Sequence, residues 1–169
     1  MTTVKLALYK GPGQLGNALI RWWTRSEYSH CELVVGDYCY SSSVMDKGVR
    51  RKRIGPGDDE IALGADHWDV IELPWADPAA VLEHFARTDP DAYGWPSLIM
   101  SQIFNRNRQV EHAAFCSEWC AAALGLPSPA SYSPRTIGEL CRWGAGWWLT
   151  SSVAVVRCAQ SKPKAAPEC

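Results

Sequence analysis

The sequence predicts a single domain that mixes strands and helices, and three observations predict it. Residues 4–9, 31–35, 38–43 and 68–74 are short apolar or alternating runs bounded by turn residues, the mark of strands. Asp77-Pro78 and Ser133-Pro134 each pair an N-cap side chain with a proline at the first helical position, which satisfies free N–H groups without removing a needed donor. A chain of 169 residues with 47% hydrophobic content is long enough to bury one core and too short for two comfortable ones.

Taken in order, Val4, Leu6 and Leu8 alternate along the first strand until Gly11-Pro12-Gly13 turns the chain. Leu15, Ala18, Leu19, Trp22 and Trp23 recur at helical spacing and predict a helix that ends near Arg25-Ser26 with its tryptophan face on the sheet. Gly36-Asp37 between two strand patterns is a hairpin signal, and residues 49–54 continue the meander. The loop Gly55-Pro56-Gly57-Asp58-Asp59 leads to a strand closed by Pro74. The Asp77-Pro78 helix should run to about Arg87 with Val81, Leu82 and Phe85 buried, and residues 96–104 predict another helix. Gly125-Leu126-Pro127 should stop a short helix beginning at Cys116 by a left-handed glycine cap. The helix after Ser133-Pro134 should reach about Arg142, and residues 148–156 read as a final strand. The domain is expected over residues 1–158, followed by a low-complexity tail, 159–169, that buries too little to order itself.

A formal charge of -1 gives no electrostatic case for nucleic acid or for an anionic membrane, and Arg50-Arg51-Lys52-Arg53 reads as a solvated edge or turn. No segment reaches the roughly 18 apolar residues that span a bilayer, and the first residues lack the pattern of a signal peptide, so a cytoplasmic protein without stable membrane insertion is expected. Seven cysteines without regular spacing argue against a disulfide framework and for small core hydrophobes in a reducing setting.

One of these cysteines stands apart. Cys116, in Phe115-Cys116-Ser117-Glu118-Trp119-Cys120, falls on the first turn of its helix, where free N–H groups and the positive end of the dipole favour a thiolate. His30 begins an apolar strand, from which an imidazole can be aimed at a facing helix, and the pair suggests a cysteine hydrolase. No cofactor is expected. His112, Cys116 and Cys120 have the i, i+4, i+8 spacing of a metal face, but a helix that begins at Cys116 excludes His112, and a fourth ligand lacks an obvious spacing, so no metal is expected. His67 and His84 read as ordinary surface residues, and the nine tryptophans as core and rim.

In their order along the chain, Tyr28-Ser29-His30 before a strand, its partner strand at 38–43, Asp91-Ala92-Tyr93-Gly94-Trp95, Phe115-Cys116-Ser117-Glu118 and Ser133-Pro134 resemble the permuted papain-like cysteine hydrolases. These are the YiiX/YaeF-type members of the NlpC-type superfamily, in which the histidine precedes the cysteine, and small phage-encoded versions are among them. The resemblance implies an α+β fold, a permuted papain-like single domain with an antiparallel sheet packed against the nucleophile-bearing helix and flanking helices. It implies Cys116 as nucleophile through an acyl-thioester, His30 as general base, and the Cys116 backbone N–H as one oxyanion donor. For the polar group that orients the imidazole it points to the strand after His30, where this chain has Ser41-Ser42-Ser43 in place of histidine, glutamate or glutamine. Parity favours Ser41 or Ser43, and Glu32, two residues from His30 on the same strand, is the rival. The implied substrate is peptidoglycan or another peptide-like molecule, or an acyl compound. Acyl transfer, thioester or lipid-ester hydrolysis, and a non-catalytic phage protein that binds a host factor are the alternatives, the last set in a host cytoplasm or a virion.

Overall fold

Five antiparallel strands form one sheet in the order β4-β3-β2-β1-β5, and three helices lie among the residues that the computed structural model describes: 2–12, 25–43, 48–89 and 114–146. The strands are β1 Val4–Tyr9, β2 His30–Val35, β3 Tyr38–Ser43, β4 Gly48–Arg53 and β5 Trp68–Leu73. The helices are α1 Pro78–Thr88, α2 Ala114–Ala123 and α3, residues 134–146, with a 3₁₀ turn at Pro129–Ser131. The structure is thus α+β, as expected. The helix predicted from Leu15 to Trp23, the one at 96–104, the strand at 148–156, the tail and His112 lie outside the described residues.

Local signals account for most elements. The Asp77 side chain caps α1 by accepting from the Ala79 N–H at 2.9 Å, and the tight β2–β3 hairpin turns on Gly36 at φ 60°. Gly125 adopts φ 68° and closes α2 with two bonds, Leu126 N–H to the Ala121 carbonyl and Gly125 N–H to that of Ala122, the paired pattern of a left-handed cap. In β4 the predicted strand is displaced by one residue, and Ile54 instead bridges Ile61. The helix α3 extends past the expected end at Arg142. On α1, Val81 is buried and Phe85 is packed at the edge of the core, but Leu82 is 41% exposed, because Val81 takes the inward line of the helix.

The register of the sheet divides its side chains into two cores. Leu6, Leu8, Cys31, Leu33, Tyr40 and Leu73 face the helices, where they meet Val81, Cys116, Trp119, Cys120, Ile137 and Cys141. The opposite face carries Ala7, Val34, Cys39 and Trp68. At the start of β2, Tyr28 donates to Asp69 of β5 and accepts from Arg142 of α3 at 2.6 Å, while Lys10 holds the same aspartate at 2.7 Å. This node fixes the entrance of the strand that begins with His30. Among the described residues no helix is long and apolar enough to cross a membrane.

Candidate active site

The strands β2 and β3 do not stay together along their whole length. Their ladder pairs Leu33, Val34 and Val35 with Tyr40, Cys39 and Tyr38, and the first half of β2 lies past its end. The main chain of Cys31, which faces this opening, finds other partners: its carbonyl accepts from the Ser41 hydroxyl at 2.8 Å and from the Cys120 thiol at 3.8 Å, and its N–H donates to the Cys116 sulfur. The helix α2 therefore inserts Cys116, its third residue, where a strand would otherwise continue the ladder. Ser117 pins that turn by donating to the Tyr132 carbonyl at 2.6 Å.

His30 belongs by parity to the face opposite α2, yet at the end of its strand it reaches Cys116 and hydrogen-bonds to it. On the other side, Nε2 of His30 lies 3.1 Å from Oε1 of Glu32. That oxygen also accepts from Nη2 of Arg50 at 2.6 Å, so cysteine, histidine, glutamate and arginine make one connected line across β2, β3 and β4. Glu32 is 1% exposed and the Arg50 side chain 14%. Here the reading of the basic run as a solvated face is corrected: Arg50 points inward by strand alternation and neutralises a buried carboxylate, whereas Arg51 and Arg53 stay outside.

The electrostatics of the pair follow from these contacts. Burial alone would lower the His30 pKa, but the negative charge and hydrogen bond of Cys116 and the carboxylate of Glu32 outweigh it, and the imidazole is raised from 6.5 to about 10. Cys116 moves the other way. Hydrogen bonding from the Cys31 thiol, with the His30 charge and the Cys31 N–H behind it, overcomes burial and holds Cys116 well below the ordinary thiol value. The arrangement thus stores a thiolate beside an imidazolium. The two titrate as a pair.

Of the four sequence-predicted residues, the structure brings Cys116, His30 and Glu32 into contact. Ser41 shares their neighbourhood, but its hydroxyl bonds to main-chain carbonyls, that of Cys31 at 2.8 Å and its neighbour's at 3.4 Å. Sequence reasoning did not single out Cys31 or Arg50. Alternation carried a signal for both, since it places Cys31 on the helix face of β2 and Arg50 across from Ser41. Cys116 is 2% exposed, whereas the His30 side chain keeps 22% of its surface, so the dyad is open from the imidazole side. No cluster of three or more potential metal ligands occurs among the described residues. The chain matches no protein-family model, no curated protein and no solved structure.

Proposed function

We propose that the chain is a cysteine hydrolase of the permuted papain-like type that cleaves an amide bond in a peptide-like substrate such as the peptides of peptidoglycan. The observation that carries this reading is the line from Cys116 through His30 to Glu32, three side chains drawn from one helix and one strand into direct contact. The order histidine before cysteine and the sheet packed on the cysteine helix support it further.

In this mechanism the Cys116 thiolate attacks the acyl carbon, and the His30 imidazolium gives its proton to the leaving amine. The neutral imidazole then takes a proton from water, which attacks the thioester and restores the thiolate. Glu32 holds the ring in register throughout and balances the imidazolium charge, the part assigned to an acidic third residue in such constellations. The Cys116 backbone N–H is the first oxyanion donor. Transfer of the acyl group to a second nucleophile, or attack on an ester or thioester, would run through the same intermediate.

The burial of the sulfur favours a second reading, a binding protein that keeps the ion pair as a structural element. Iodoacetamide labelling separates the two. A hydrolase is labelled at Cys116 near neutral pH and loses that labelling in His30→Ala, whereas equal labelling of both proteins, or none of either, sinks the hydrolytic reading. Digestion of purified peptidoglycan, with released peptides identified by mass, then decides between amide cleavage and other acyl chemistry.

A further inference from the structure

Three thiols meet at the head of the proposed site, and the hydrolytic mechanism uses one of them. The Cys31 thiol sits between two sulfurs: it lies against that of Cys116 on one side and donates to Sγ of Cys120 at 3.8 Å on the other. All three are buried, and none of them is in a disulfide. The acyl mechanism proposed above makes no use of the Cys31 thiol.

We infer that Cys116 is a site of reversible oxidation by hydroperoxides, with Cys31 as the resolving thiol that closes a Cys31–Cys116 disulfide. It rests on the reactive sulfur of the proposed function but not on turnover of any acyl substrate. In the first step the Cys116 thiolate attacks one oxygen of hydrogen peroxide, a sulfur–oxygen bond forms and the O–O bond breaks. The departing hydroxide takes the proton of the His30 imidazolium and leaves as water, the sulfur losing two electrons to the peroxide. In the second step the Cys31 sulfur displaces the hydroxyl of the sulfenic acid. A sulfur–sulfur bond forms, and the hydroxyl leaves with the Cys31 proton as a second water.

Three features of the site favour this course. Peroxide is close to water in size, so it reaches a sulfur that is 2% exposed more easily than a bulky oxidant does. The resolving thiol is already packed beside the sulfur it must attack. At rest Cys31 is held in the protonated form, by burial first and then by its contacts with Cys116 and Cys120, so its proton is in place to leave with the hydroxyl of the sulfenic acid. Cys120 is the less suitable resolver of Cys116, since two cysteines one turn apart on a helix meet a disulfide in poor geometry.

Hydrogen peroxide on the folded full chain tests the inference, with peptide mapping by mass, dithiothreitol reversal and iodoacetamide reactivity as readouts. The wild type should form the Cys31–Cys116 disulfide, lose nearly all Cys116 alkylation and recover it with dithiothreitol. Cys31→Ala, checked for folding by circular dichroism, should oxidise more slowly, because Cys116 loses the contact that lowers it most, but should trap Cys116 as a dimedone-reactive sulfenic acid and pass on to sulfinic acid, which dithiothreitol does not reverse. Cys120→Ala should behave as the wild type. If wild-type Cys116 goes directly to sulfinic acid, or if a Cys31–Cys120 bridge forms equally in Cys116→Ser, the inference is overturned. A Cys116 that is alkylated normally but forms no disulfide would overturn it while leaving the hydrolytic reading intact. One that neither alkylates nor oxidises would overturn both.

Discussion

Nε2 of His30 and Oε1 of Glu32 are 3.1 Å apart although both side chains leave the same strand, two residues from each other. Period-two geometry alone puts them on one face, so the imidazole is oriented by its own strand and needs no neighbouring strand to supply the acceptor. Arg50, from β4, then closes the line on the same oxygen.

This shared oxygen makes Glu32 and Arg50 interdependent. Arg50→Gln leaves a carboxylate that is 1% exposed without its guanidinium and should destabilise the fold by about 3–5 kcal/mol, as removal of one partner of a buried pair does. Glu32→Gln should cost a similar amount, and the double variant should recover much of it. Urea unfolding of the four proteins checks the cycle, and strict additivity would show that the contact contributes nothing.

The opposed shifts of His30 and Cys116 predict a flat-topped dependence of stability on pH. His30 is raised in the folded state, so its contribution is complete below its ordinary value of 6.5 and disappears as pH climbs to about 10. Cys116 is lowered, so its contribution is complete above its ordinary value of 9.0 and is lost as pH falls through its folded value. Between 6.5 and 9.0 the two trends cancel. Urea midpoints should be level across that window and decline on both sides, and His30→Ala with Cys116→Ser should remove this component.

Because the Cys116 sulfur accepts from the Cys31 N–H, its removal should affect folding as well as chemistry. Cys116→Ala leaves a buried donor unpaired, at a cost of about 1–3 kcal/mol, whereas Cys116→Ser keeps an acceptor and should lose less. Comparison of their denaturation midpoints tests this, and equal midpoints would argue that the bond has no structural weight.

Gly125 separates conformation from contact. A Cβ added there meets nothing within 4 Å, so Gly125→Ala should lose only the left-handed preference, about 1–2 kcal/mol, with the rate of Cys116 alkylation unchanged.

Where a signal was confined to a few adjacent residues, the sequence was sufficient to read it. The alternation of Val4 to Leu8, the Gly36-Asp37 turn, the Asp77 cap and the Gly125 stop each reflect chemistry complete within one turn or one strand. Exposure of Leu82 was not legible, since it depends on how α1 is rolled against partners far along the chain. The same holds within the site. Cys116 and His30 stood out by residue type and local setting, and Glu32 by parity, but the opening between β2 and β3 is a property of the sheet. So is the inward turn of Arg50, which within its own segment is one of four consecutive basic residues.

The unusual proton affinities of the dyad exist only after a helix and a strand 86 residues apart (116 minus 30) have docked. A nascent or denatured chain therefore carries an ordinary thiol, largely protonated at neutral pH and slow toward electrophiles. The reactivity of the sulfur arrives with the finished tertiary structure, which makes the speed of Cys116 alkylation a direct clock for refolding.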